Sequence, residues 1–170
     1  MGCDIHFWVE ARPLPSMAFK PFDGRGQSTG YACDSCTFDA DPSTCRACRG
    51  TKVNRGGGTL MDREWYTDRC YPVFSVLAGV RQGYAEDGDT VWPMISPPRG
   101  LPEDHTAGDE WLGDHSFTWL MLDEVLDYPW EANKVERSGH FLSRMKYLSE
   151  VAASKGFSPD NVRLVFGFDN

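Results

Sequence analysis

The sequence predicts an α+β fold, a single domain over residues 1–170 with a small mixed or antiparallel sheet and one long helix at about 138–155. Three observations carry that reading. Residues 3–10 and 162–168 each alternate side-chain character with period two, as a half-buried strand does. Phe141, Leu142, Met145, Leu148, Val151 and Ala152 recur at helical spacing. Two cysteine pairs, Cys33-Asp34-Ser35-Cys36 and Cys45-Arg46-Ala47-Cys48, stand in a Gly-rich polar stretch that lacks the apolar periodicity to build a core.

On the first strand Cys3, Ile5, Phe7 and Val9 share one face, and Asp4, His6, Trp8 and Glu10 share the other. Residues 11–30 read as loop because of their prolines and glycines. A CxxC turn aims two thiolates at one cation, and two such turns supply the four sulfur ligands of a structural zinc site. Cys33, Cys36, Cys45 and Cys48 are therefore expected to bind zinc, closing a knuckle insertion over 31–53 with a flexible exit at Asn54-Arg55-Gly56-Gly57-Gly58. A closed four-thiolate site leaves no position for substrate, so this metal would build structure and perform no chemistry. Val73, Phe74, Leu77 and Val80, with Pro72 in the first turn, predict a helix over 72–82. Residues 82–115 are irregular and acidic, and Phe117–Leu122 reads as a strand or the entry to a short helix around Asp123–Tyr128. The long helix ends at Gly156, Ser158–Asn161 turns, and the last strand sets Val162, Leu164, Phe166 and Phe168 against Arg163, Val165, Gly167 and Asp169. The first and last strands are expected to share the sheet, with the long helix packed on Ile5, Phe7, Leu164 and Phe166.

The net charge of −8 is concentrated: between Glu86 and Asp127 eleven acids face a single Arg99. That balance is the wrong sign for duplex binding, which draws on Lys and Arg, so nucleic acid is not an expected partner. No apolar run reaches the roughly 18 residues of a membrane span, and no basic-then-apolar leader opens the chain. Paired thiols without such a leader read as metal ligands in a reducing, cytoplasmic setting. Cys3 and Cys70, left over from the zinc count, read as buried small hydrophobes.

Polar residues of the two terminal strands, Asp4, His6 and Glu10 with Arg163 and Asp169, can converge on one sheet face, where a carboxylate beside an imidazole fixes its tautomer. Trp8 and the bare backbone of Gly167 on that face suit ligand approach. Asp114-His115-Ser116, ahead of Trp119, is a second acid–imidazole–hydroxyl group. Arg69, Tyr71 and Arg81 flank the predicted 72–82 helix, where guanidinium groups can hold a phosphate while a ring stacks on a base. His6 and His115 alone among the four histidines combine a neighbouring Asp with large aromatics, and they are expected to meet in one cleft. No phosphate-binding loop, dinucleotide glycine fingerprint, nucleophile elbow or HExxH motif is present.

Met1-Gly2-Cys3-Asp4-Ile5-His6, the Tyr71…Leu77-Ala78-Gly79-Val80-Arg81 block, Asp114-His115-Ser116…Trp119-Leu120 and the closing Val165-Phe166-Gly167-Phe168-Asp169-Asn170 form a recognisable set. Together they resemble a group of small, largely uncharacterised proteins of bacteriophages and bacteria, with the cysteine segment standing as an insertion. The resemblance implies that these blocks build one site. It also implies a phage setting, in the host cytoplasm, where small accessory proteins act against host defence. The leading expectation is a pocket for a small nucleotide-like ligand lined by Asp4, His6, Trp8, Arg69, Tyr71, Arg81, Asp114, His115, Ser116, Trp119, Arg163 and Asp169, which would sequester a defence signal. One alternative is a metal-dependent phosphoester hydrolase using Asp4, His6, Asp114 and His115. Another is an interaction module presenting the zinc knuckle to a protein partner.

Overall fold

The computed structural model describes residues 2–22, 69–83, 88, 90–107 and 112–169. The chain divides into two units, Met1–Phe22 with Arg63–Asn170, and Asp23–Asp62. The knuckle insertion at 31–53, its four cysteines and the 54–58 exit lie outside the described residues.

The described part is mixed α+β. Strands β1 (Asp4–Ala11), β2 (Lys20–Pro21), β3 (His115–Met121) and β4 (Val162–Asp169) form one antiparallel sheet in the order β2-β1-β4-β3. Its helices are α1 (Tyr71–Ala78), α2 (Leu122–Asp127) and α3 (Gly139–Ser154), and a short 3-10 turn at Pro159–Asn161 leads into β4. β1 and β4 pair along their whole length, from Asp4 opposite Asp169 to Ala11 opposite Val162. The shared sheet of the two terminal strands thus holds, with their alternations locked in register so that Ile5–Phe168, Phe7–Phe166, Val9–Leu164 and Ala11–Val162 fall on one face.

That face is the core. Ile5, Phe7 and Val9 of β1 and Leu164, Phe166 and Phe168 of β4 are buried in one cluster with Phe141, Met145 and Leu148 of α3 and Val73, Phe74 and Leu77 of α1. Phe7 meets Phe166 at 5.0 Å between ring centroids and Phe141 at 6.3 Å, so α3 packs where the stripe required.

Several boundaries depart from the sequence reading. Helix α1 stops at Ala78 instead of running to 82, because Gly79 takes the left-handed conformation (φ 68°), its N–H turning back to the Ser75 carbonyl and the Val80 N–H to that of Phe74. Val80 and Arg81 therefore lie beyond the helix, Arg81 itself at φ 59°. The loop assigned to 11–30 contains β2, a two-residue edge strand whose proline is tolerated there. β3 starts two residues before the expected run and takes an irregular step between His115 and Thr118, where Ser116 has φ 55°.

The largest departure is the second face of β4. Arg163, Val165 and Gly167 were expected on a face open to ligand approach, yet every residue from Val162 to Phe168 is buried. Val165 forms a smaller cluster with Ala107 and Leu112, flanked by Trp8, Leu101, Phe117 and Trp119. Residues of the irregular 82–115 stretch thus cover the outer face of a central strand.

Candidate functional site

The sequence-predicted residues separate into three groups. The first sits where β1 begins and β4 ends. Asp169 faces Asp4 across the ladder, and its carboxylate accepts the Asp4 backbone N–H (3.2 Å) through Oδ1 and lies 2.9 Å from His6 Nε2 through Oδ2. Because an ionised carboxylate only accepts, this contact places a proton on Nε2. The Arg69 guanidinium forks onto the Asp4 carboxylate, Nε to Oδ1 and Nη2 to Oδ2 at 2.6 Å. That hydrogen-bonded fork, with Arg69's charge and that of His6 adding to it, holds Asp4 below the ordinary carboxylate range. Arg69 remains 56% exposed, so the pair orients groups more than it stabilises the fold.

Behind these residues Cys3 is fully buried, and burial pushes its thiol up despite a hydrogen bond from Arg81. It is a small core residue, as read from the sequence. Arg81 also lies 5.7 Å from the centroid of the Tyr71 ring. Asp4, His6, Arg69, Tyr71, Arg81 and Asp169 are therefore one neighbourhood, assembled from β1, the two flanks of α1 and the end of β4.

The second group occupies the other end of the same sheet face. Glu10 and Arg163 stand directly opposite on β1 and β4, both buried, with Nε 2.7 Å and Nη2 2.6 Å from Glu10 Oε2. The guanidinium lies 3.9 Å from the Phe19 ring centroid and 5.9 Å from that of Trp119. Its Nη1 donates to Asp104 at 2.8 Å. Glu10 Oε1 accepts both the backbone N–H and the hydroxyl of Thr106, and Trp8 Nε1 donates to the same hydroxyl at 2.9 Å. Arg99 stacks 4.6 Å over Trp119 and pairs with Glu124, whose carboxyl is held below the ordinary range chiefly by that hydrogen bond. Trp8, Trp119 and Arg163 thus belong to one network of rings and ion pairs centred on the Glu10–Arg163 pair.

The third group is Asp114-His115-Ser116. His115 opposes Phe168 in the ladder and stacks on its ring at 6.2 Å, so it lies on the core side of the sheet, whereas His6 lies on the outer side. The two histidines thus lie on opposite faces of the sheet. The extra residue at the Ser116 irregularity sets this parity, and no alternation rule applied to residues 117–122 could have placed it. His115 Nδ1 is 2.9 Å from Ser116 Oγ, its Nε2 has no partner among the described residues, and Asp114 is exposed with its N–H on the Phe168 carbonyl.

Gly167 does not leave the face open. A Cβ there would stand 2.3 Å from the Leu112 carbonyl oxygen and 2.6 Å from the Phe117 ring, so the glycine serves close packing of chain on chain. Sequence reading missed Asp104, Thr106, Arg99 and Glu124 as site residues, and it named Glu10 and Arg163 without pairing them. Aligning the two alternating strands end to end sets Glu10 against Arg163, a cross-strand charge pair visible in the sequence.

Among the described residues no three of His, Cys, Asp and Glu come together as donors to a metal ion. Of the four residues the hydrolase alternative requires as one ligand set, Asp4 and His6 lie on the outer face and His115 on the core side. Among the described residues no helix is long and apolar enough to cross a membrane. No protein-family model, curated protein or solved structure matches the chain.

Proposed function

We propose that the protein binds a small nucleotide-like ligand at the end of the sheet where β1 begins. The observation that carries this reading is the convergence of Arg69, Arg81 and Tyr71 on the His6–Asp169 pair. Two guanidinium groups offer planar forks for phosphate, the phenol ring offers a stacking surface, and His6 with Asp169 offers a fixed donor–acceptor edge. Asp4 holds Arg69 in place until a phosphate competes for its fork. Trp8, on the same face of β1, borders the site. The resemblance to phage proteins extends the reading to sequestration of a host defence signal in the cytoplasm.

Isothermal titration against a panel of mononucleotides and cyclic dinucleotides tests it. His6→Ala and Arg81→Ala should each weaken the best binder by about tenfold to a hundredfold, the worth of one or two charge-assisted hydrogen bonds, with the melting temperature little changed. If no member of the panel binds tighter than about 1 mM, a limit near −4 kcal/mol, the nucleotide reading fails.

The same reading includes one structural zinc on Cys33, Cys36, Cys45 and Cys48, argued from their spacing and thiolate chemistry alone. Elemental analysis should return one zinc per chain, and cobalt-substituted protein should show thiolate charge transfer. Cys36→Ser should lose the metal while β1, β4 and α3 keep their fold. Zinc present in a protein that binds no nucleotide would favour the interaction-module alternative.

A further inference from the structure

Asp114-His115-Ser116 takes no part in the nucleotide site proposed above, yet it holds the most unusual backbone of the sheet. Opposite Gly167 the β3–β4 ladder sets two residues, Ser116 and Phe117, against one, and it resumes at Thr118. Ser116 stands at φ 55°, and among the described residues it is the only one inside a strand with a positive φ. The left-handed first position of such a bulge ordinarily belongs to glycine, which has no Cβ to crowd the backbone. A side chain kept there at a cost points to a use for that side chain.

The ring beside it supplies the use. His115 Nδ1 lies 2.9 Å from Ser116 Oγ, the separation of a hydroxyl nucleophile from its base. The imidazole is held by stacking on the fully buried Phe168. Its Nε2 is buried with no hydrogen-bond partner, so among the described residues Ser116 is the ring's one polar contact. A polar atom left in that state calls for a reason, and a catalytic role is one. The start of the strand is equally fixed. The Asp114 N–H donates to the Phe168 carbonyl at 2.6 Å, and a Cβ on Gly113 would stand 2.5 Å from that oxygen. Ser116 is half-buried, so its hydroxyl sits on a rigid element within reach of a small molecule.

We propose that Ser116 is a nucleophile activated by His115, and that it accepts an acyl group from a small uncharged ester. The hydroxyl donates to Nδ1, which takes the proton as Oγ bonds to the ester carbonyl carbon. The ester C–O bond then breaks, and the alcohol leaves with the proton from Nδ1. Water attacking the acyl carbon passes a proton to Nδ1 and then to the departing Ser116 oxygen, which frees the acid. The exposed Asp114 carboxylate, two residues before Ser116, repels an anionic phosphoester and selects an uncharged substrate. This chemistry needs no ligand at Arg69 and Arg81 and stands or falls apart from that site.

Diisopropyl fluorophosphate, small and uncharged, tests the nucleophile: an Oγ–P bond replaces the P–F bond, fluoride leaves, and the serine proton passes to His115. Peptide mass spectrometry of the intact protein after labelling should place one adduct on Ser116. p-Nitrophenyl acetate should be cleaved and p-nitrophenyl phosphate left untouched. Ser116→Gly should melt no lower than the wild type, because glycine suits the bulge, and should give neither adduct nor cleavage. His115→Phe keeps a ring against Phe168 and should slow labelling by about a hundredfold or more, the worth of a general base. If that variant does not fold, His115→Gln takes its place. A wild type without an adduct, an adduct on other residues alone, or a His115 variant that labels as fast as the wild type would overturn the proposal. So would cleavage of the phosphate in place of the acetate.

Discussion

Phe166→Ala is expected to lower the free energy of unfolding by about 3–5 kcal/mol, the range for truncating a large ring in a filled core. Phe166 is fully buried, meets Phe7 at 5.0 Å and Phe168 at 6.2 Å, and pairs across the ladder with both Phe7 and Thr118. Deletion of its ring leaves a cavity between the sheet and α3 that strands paired on both sides cannot collapse to fill. Urea denaturation monitored by circular dichroism measures it. A loss below about 1 kcal/mol, the scale of surface substitutions, would put the ring in solvent and reverse the two faces of β4.

Arg163→Met is expected to cost a comparable amount, about 3–5 kcal/mol, for a different reason. The substitution keeps much of the side-chain volume between Phe19 and Trp119 but leaves Glu10, wholly buried, without its guanidinium. A carboxylate stripped of its partner carries its full desolvation penalty. Thr106 still donates to Oε1, which is too little to replace a charge. The double variant Glu10→Leu with Arg163→Met should regain most of the loss, since a buried ion pair replaced by apolar groups of similar volume is often neutral or better. The four proteins form a mutant cycle by chemical denaturation. A single-variant loss under about 1 kcal/mol would mean the pair is solvated, as exposed pairs are.

The core face was legible because period-two alternation survives in both terminal strands and period 3.6 survives in α3. Those patterns report burial on one side of an element, and here one side was enough to place the sheet and its helix. The outer face was not legible for the converse reason. Arg163, Val165 and Gly167 look like an ordinary solvent row, and their burial depends on residues 99–117, an acidic, proline-containing stretch with no period to read. The end of α1 was misplaced because Val80 continues the apolar spacing while Gly79, one residue earlier, breaks the backbone. Within the site, alternation grouped Asp4, His6 and Asp169 on one face, and Arg69, Tyr71 and Arg81 joined them from both ends of α1. His115 went to the other face through one irregular residue, a displacement that composition does not encode.

The pairing of Asp4 with Asp169 joins positions 165 apart in the chain, and the rest of the β1–β4 ladder is nearly as remote. As the polypeptide leaves the ribosome, β1 emerges early and must wait for β4, the strand that completes its hydrogen bonds and covers Ile5, Phe7 and Val9. Closing so long a loop is entropically slow, and contacts of this separation place a protein among the slower folders. Through that interval an apolar strand with a bare edge is open to capture by other chains. The architecture that gives the finished molecule its central ladder thus leaves the nascent strand open to mispairing until β4 is made.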